Sequence, residues 1–528
     1  MRRVQSRPAR QTCDAAQASC VREVSSARRA VLILIAATLA GRVLFGLSLG
    51  LGIDESYTVA TGRHPQLSTF DHPPAAWWLA WVASQLFATE SALALRLPFI
   101  LLFALTTWLT YRLTAYLFDE RAGVWAAATL NLAPVIAWTS GTWIVPDGPL
   151  NAALMAGTYA TARAVFGAGR TAPLWWLAAG ACGGLALLCK FHGAFLLAGV
   201  ALFLLTCSAH RQWLLTPWPY AAALVAALLF LPVIVWNQEH AWVSFAFQGG
   251  RARLQGINPL GPLAALGGQA LYLLPWLWLP LMACLARTIA AGRADGRRWM
   301  LTCLAVGPIL GFTAVAWTGT RVLPHWAAPG YLMLFPLLGV EIAARVENRD
   351  RFAKAWLMAT AGSLAIVLAA VIGISQLPWP TMAGPGGKAL PYPLLESLDW
   401  MDLKTEIEAR GLANSRTLIV VATRWHEAGK IDYAFGGRLP VLCLCRDPRG
   451  YGVLTRPWEH RGATALIVGR DLPPEVVATT YAAYFDKLEE LRPIAITHAG
   501  KPVFELSVYI GQNFRAPSLL DPHSLGRN

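Results

Sequence analysis

The sequence predicts an all-α, polytopic membrane bundle of about eleven spanning helices, followed by a small C-terminal α/β domain on the outer side. Three observations carry this expectation. Of 528 residues, 55% are hydrophobic and only 14% charged, a balance outside that of ordinary soluble enzymes. The apolar residues come in unbroken runs of roughly 20, the length at which a helix crosses a ~30 Å hydrocarbon core. Arginines gather in every second loop between those runs, as cytoplasmic loops do.

Residues 1–30 form a basic tail, with Arg2, Arg3, Arg7, Arg10, Arg22, Arg28 and Arg29, placed in the cytoplasm. The first helix is expected over 31–52. It has no clear small-residue cleavage site and exceeds a signal-peptide core, so it reads as an uncleaved span. Arg42 falls at its middle, where snorkelling or a partner inside the bundle would serve. An outer segment follows to about 91, in which Pro74–Phe87, with Trp77, Trp78 and Trp81, has the composition of an interfacial helix. Further helices are expected near 93–117, 122–140, 148–166, 173–189, 193–208, 217–236, 262–286, 299–317, 326–344 and 355–375. The basic loops hold Arg163 and Arg170; Arg211; Arg287, Arg293, Arg297 and Arg298; then Arg345, Arg349, Arg351 and Lys354.

Residues 31–375 thus form a transmembrane module. A Pro- and Gly-rich linker spans 376–394, and an odd number of spans puts the domain 395–528 outside. There Thr417–Thr423, Ala463–Val468 and Val503–Tyr509 read as strands, and Glu475–Leu488 as a helix. Cys443 and Cys445, two apart on an expected strand, would point the same way, poor geometry for a disulfide. The nine cysteines form no disulfide framework.

A net charge of +14 raises nucleic-acid binding, but the loop-wise placement of arginine assigns the charge to membrane topology instead. The scarce acidic residues of the membrane half are more informative. Asp54 and Glu55 stand in GIDESYT, Asp71 and His72 in FDHPPAAWW, Asp147 in WIVPDGPL, and Lys190 and His192 in LCKFHG. Glu239, His240, Gln248, Arg251 and Arg253 lie in NQEHAWVSFAFQGGRAR; Arg321 and His325 lie in TRVLPHWAAPGY. All fall on the side opposite the basic loops. Charges at a membrane edge are costly unless they face water, one another or a ligand, so one outward-facing polar cavity is expected to gather them.

Lys190, Arg251 and Arg253 could hold a phosphate there, while Asp54 and Asp147 could orient or deprotonate a hydroxyl. Competing structural roles are a solvated helix end for Asp54–Glu55, a helix N-cap for Asp147, snorkelling for the arginines, and packing between Pro324 and Trp326 for His325. A transporter or lipid flippase would place ionisable groups near the midplane, often on paired halves. Only Arg42 lies that deep, and no matching halves are visible. A non-enzymatic receptor would not need converging carboxylates and cations.

Asp54-Glu55, the outer His-Pro-Pro element, Arg96–Pro98, Pro-Asp-Gly-Pro, the Lys190 segment and Pro324-His325-Trp326 with Pro329 recur in one order along the chain. In this they resemble the GT-C glycosyltransferases related to protein O-mannosyltransferases and lipid A aminoarabinose transferases. The resemblance covers roughly 30–375 and, loosely, Val420–Tyr451. It implies inverting transfer of a sugar from an undecaprenyl- or dolichyl-phosphate type carrier to lipid A, another glycan or a protein, at the outer face of a bacterial inner membrane. It implies Asp54 as base or orienting carboxylate and Asp147 as the matching second-loop carboxylate, with Glu55 beside Asp54 as a further candidate catalytic residue. Lys190 would lie near the donor phosphate, with His72 where the aminoarabinose enzymes carry lysine. Asp71 and His240 would bind a divalent metal. Lys190 and Arg251 would neutralise the leaving phosphate, a task a metal could share; membrane lipids surround the whole.

Overall fold

A computed structural model describes residues 8–167, 169–251, 256–378, 393–414 and 417–516. The side chains of 8–23, 393, 394 and 414 lie outside this description, as do Arg253 and most of the 376–394 linker. Every segment expected to be helical contains helix, but several helices break. Among the described residues, six are long and apolar enough to cross a membrane, or up to nine spans if each of three bent pairs counts as one.

Helix α1 (Pro8–Ser48) ends earlier than expected, and Asp54 begins a separate helix α2 (Ile53–Gly62) rather than closing the first. Helix α3 (Ala75–Phe87) is the Trp-rich interfacial segment, and α4 (Ala92–Leu117) is a full span. The helix expected over 122–140 is broken. Helix α5 (Glu120–Asn131), capped by the Asp119 side chain accepting from the Ala122 N–H, is followed by a π-helical turn, Pro134–Thr139. Pro134 supplies no N–H and forces Ala133 out of helical geometry. Arg42 occupies this break. Its Nε donates to the Ala137 carbonyl at 3.0 Å and its Nη2 to Asn131 Oδ1 at 2.8 Å, with its guanidinium over Phe103. It is buried in the bundle and does not snorkel.

Helices α6 (Asp147–Phe166), α7 (Ala172–Cys189), α8 (Ala194–Thr206) and α9 (Trp218–Glu239) follow as expected. Helices α7 and α9 approach so closely that a Cβ on Gly180 would sit 2.3 Å from the Ala222 carbonyl oxygen, the small-residue contact by which helices associate in lipid. After the short α10 (Val243–Gly250), the helix expected over 262–286 appears as α11 (Gly261–Leu273) and α12 (Pro275–Ala291), turned 116° at Leu274 before Pro275. Helix α13 (Gly296–Val315) is straight enough to count as one span. The helix expected over 326–344 divides into α14 (Ala328–Leu332) and α15 (Phe335–Glu347), and α16 (Arg351–Ser375) closes the module.

The C-terminal domain, expected to be the outer one, is a five-stranded sheet in the order β2-β1-β3-β5-β4. Strands β1 (Leu418–Ala422), β2 (Val441–Cys443) and β3 (Thr464–Arg470) are parallel, and β1 is wholly buried, which is why it reads as an unbroken apolar run. Strands β4 (Lys487–His498) and β5 (Lys501–Gln512) form an antiparallel hairpin, β5 pairing with β3. Helices α17 (Met401–Ala409) and α18 (Trp425–Phe435) pack against the sheet; α19 (Tyr451–Leu454) and α20 (Pro474–Thr480) are short.

Two expectations fail here. The helix expected over Glu475–Leu488 stops at Thr480, and Lys487 already belongs to β4. Ala499 and Gly500, both at positive φ, form the tight hairpin that folds 487–498 back on β5, and that pairing overrides local propensity. Cys445 lies past the end of β2, so its Sγ turns to within 2.9 Å of Cys443 Sγ instead of pointing in parallel; both thiols are free.

The domain docks on the membrane module through α18 and α2. A Cβ on Gly429 would meet Tyr57 Cα at 2.8 Å, so only glycine permits this approach. Arg63 bridges Asp432 (2.6 Å) and Glu90 (2.8 Å). The buried Lys430 Nζ donates to the carbonyls of Leu51 and Leu398.

Candidate active site

The loop between α1 and α2 is built to present one carboxylate. The last carbonyls of a helix lack partners within it; here Arg96 of α4 supplies them, with Nη1 2.7 Å from the Gly46 and Leu49 oxygens and Nη2 2.8 Å from that of Gly50. The same guanidinium holds Glu55, with Nε 2.8 Å from Oε1. Glu55 also accepts from the Gly52 N–H (2.8 Å) and the Ile144 N–H (3.1 Å). Burial would raise its pKa, but Arg96 and these donors outweigh burial and keep it below the usual range. Glu55 is therefore a wholly buried anchor held by Arg96, and it does not line the cavity where its expected catalytic role would lie.

Its neighbour Asp54 turns the other way, into a cavity of about 390 Å³ that Asp71, His72, Asp147, Lys190, Arg251 and His325 also line. Asp54 is exposed to that cavity, and no hydrogen bond to its carboxylate is found among the described residues. Desolvation by the surrounding protein raises its pKa, opposed first by the Arg449 charge.

Of the residues expected to converge, Asp54, Asp71, His72, Asp147, Lys190, Arg251 and His325 line this cavity, whereas Glu55, His192, Glu239, His240, Gln248 and Arg321 do not. Asp147 heads α6 but does not cap it. Both its oxygens lie 3.0 Å from Lys190 Nζ, so acid and cation form a nearly buried ion pair and neither is free. Arg251 lines the cavity with its guanidinium over the Phe247 ring. His72 is held well below the ordinary histidine pKa, by burial and then by Lys190. It lines the same cavity as Lys190 and Arg251, which are also expected at the donor phosphate.

The expected metal pair is not assembled. Asp71 lies in the cavity with its carboxylate taken by the Tyr57 hydroxyl (3.3 Å) and Arg449 (3.4 Å). His240 is outside the cavity lining, its ring stacked 4.0 Å from that of Trp236 and its Nδ1 2.8 Å from the Trp236 carbonyl. Among the described residues no three His, Cys, Asp or Glu side chains group as metal ligands. These residues, as arranged, do not fit the ion.

Sequence reading missed Trp425 and Arg449, which reach the cavity from the outer domain, and Tyr57 and Tyr272 from the membrane module. The only signal for Arg449 was its place inside Val420–Tyr451, and spacing gives no hint that a strand-following loop folds back onto α2.

The fold, a multi-pass helical module carrying a small sheet domain, has solved counterparts. The family model described as dolichyl-phosphate-mannose-protein mannosyltransferase matches residues 71–236. The structure is similar to ArnT from Cupriavidus metallidurans in the apo state, with TM-score 0.60 and 14% identity over 90% of this chain and 97% of that one. It is equally similar to the same protein bound to undecaprenyl phosphate, with TM-score 0.61 and 15% identity over 91% and 97%. A looser likeness, TM-score 0.47 at 14% identity over 78% and 64%, is to the archaeal oligosaccharyltransferase AglB from Archaeoglobus fulgidus. No curated protein matches the sequence.

Proposed function

We propose that the protein moves a sugar, with inversion, from a polyprenyl-phosphate carrier to an acceptor at the outer face of a bacterial inner membrane. The N-terminus lies in the cytoplasm and the sheet domain in the periplasm. The observation that supports this reading is the cavity that sets the unbonded carboxylate of Asp54 among cationic side chains. The likeness to a protein solved with undecaprenyl phosphate points to the same class of donor.

In the transfer, the acceptor oxygen attacks the anomeric carbon as its bond to the phosphate oxygen breaks, and the electron pair leaves on the phosphate. Arg251 neutralises that growing charge, worth most in a partly dry cavity. With a hydroxyl acceptor, Asp54 takes the proton; its raised pKa makes it a stronger base than an ordinary carboxylate. With a phosphate acceptor, Asp54 orients instead. Asp147 and Lys190 fix each other and shape the wall. Acceptors of the expected chemistry are lipid A, another glycan or a protein.

Mass spectrometry of envelope glycolipids and glycoproteins, with and without this chain, tests the reading. One sugar should vanish from one acceptor and return with the wild-type chain. No missing sugar, together with no release of undecaprenyl phosphate from lipid-linked sugars by the purified protein, would overturn it.

A further inference from the structure

The loop after β2 runs Arg446-Asp447-Pro448-Arg449-Gly450 and brings an outer-domain arginine to the same cavity wall as Arg251. We propose that Arg449 is a contact for the donor phosphate, so that the phosphate is gripped between one guanidinium from the outer domain and one from the membrane module. This rests on the carrier reading above and adds a residue from a domain not otherwise assigned any part in the chemistry.

Four features of Arg449 support the assignment. Its guanidinium lies 3.7 Å from the centre of the Trp425 ring, which fixes its plane and leaves its edge to make hydrogen bonds. Its Nε is buried without a hydrogen-bond partner, and the Asp447 carboxylate is 3.7 Å from it, too far to bond. A buried unsatisfied donor is costly, and an oxyanion in the cavity would satisfy it. The residue holds φ at 47°, a left-handed conformation uncommon outside glycine, and strain of this kind gathers at ligand sites. Finally, the next residue is locked to the membrane module: the Gly450 N–H donates to the Tyr57 hydroxyl at 2.9 Å, where a Cβ would come within 2.6 Å of that oxygen.

The charges agree. Lys190 is spent on Asp147 through both carboxylate oxygens. Arg449 meets Asp71 through one nitrogen only, at a loose 3.4 Å. Arg449 and Arg251 lie close enough to repel each other, a cost that an anion bound between them would reverse. Planar guanidiniums suit a phosphate that gains charge as its sugar departs.

Binding of undecaprenyl phosphate, and of undecaprenol as the phosphate-free control, is measured on the full-length purified protein by quenching of tryptophan fluorescence. Arg449→Ala should weaken undecaprenyl phosphate binding about tenfold or more and leave undecaprenol binding unchanged. Arg449→Lys should restore part of the loss, because it keeps the charge without the fork. Arg251→Ala should show the same selectivity. If Arg449→Ala and Arg449→Lys both bind undecaprenyl phosphate as the wild type does, or lose both lipids equally, the proposal fails while the carrier reading stands. A wild-type protein that does not distinguish the two lipids overturns the carrier reading, and this proposal with it.

Discussion

The Glu55 carboxylate and the Arg96 guanidinium meet at 2.8 Å with both side chains buried, and Arg96 also closes the end of α1. This pair sets the direction of the residue between them in function: Asp54 is presented to the cavity because Glu55 is held away from it. Breaking a buried ion pair by removing one partner typically costs about 3–5 kcal/mol, since a charge is left uncompensated. Glu55→Gln and Arg96→Met should each lower thermal stability of the detergent-solubilised protein sharply. The double variant should lose less than the sum. Additive losses in a double-mutant cycle would show that the two residues act independently.

Asp54→Asn keeps the shape of the side chain and removes its basicity. With a hydroxyl acceptor, sugar transfer should fall by about 10²–10⁴-fold at normal folding. The wild-type rate should also decline as pH drops through the Asp54 pKa, which burial lifts above the ordinary carboxylate range. Because Arg449 opposes that rise, Arg449→Gln should move the acid limb of kcat/KM to still higher pH. An acid limb that survives in Asp54→Asn would belong to another group.

Lys190 and Asp147 should behave as a unit. Lys190→Met leaves a nearly buried carboxylate without its cation, and Asp147→Asn leaves the reverse, so each should reduce folded yield. The pair Lys190→Met with Asp147→Asn should regain yield without regaining full transfer. Two single variants that fold and work normally would remove the ion pair from the site.

Lys430 supplies a pH signature for domain docking. Burial lowers its pKa to about 7, against 10.5 when exposed in the unfolded chain. Between those values the unfolded state binds more protons, so stability rises with pH from about 7 toward 10.5 and gains nothing from this group below 7. The melting temperature of the wild type, referred to that of Lys430→Met, should climb across pH 7–9. A constant difference would contradict a buried, readily deprotonated Lys430.

Orientation is tested with a reporter active only outside the cytoplasm. Fused after Gln376 it should be active, and after Arg293 silent, because the arginine-rich loops belong inside. The reverse pattern would invert the placement of the whole site.

Hydrophobic run length determined the membrane bundle, because a chain in lipid must satisfy its backbone within helices, and the return of polar composition after Gln376 marked the small C-terminal domain. Charge at a membrane edge likewise marked Asp54, Asp71, Asp147, Lys190 and Arg251 as a group, and all five line one cavity. Which partner each of them meets was decided only by distance in the folded chain. A helical turn sends Glu55 about 100° away from Asp54, but only the fold shows that α4 brings Arg96 to Glu55 and leaves Asp54 free. Lys190 reads as an open cation until α6 places Asp147 against it. The break at Pro134 is local chemistry, whereas its filling by Arg42 needed α1 to pass alongside. Arg449 is separated from Asp71 by 378 positions; no periodicity reports such a meeting, because it depends on how one domain docks on another.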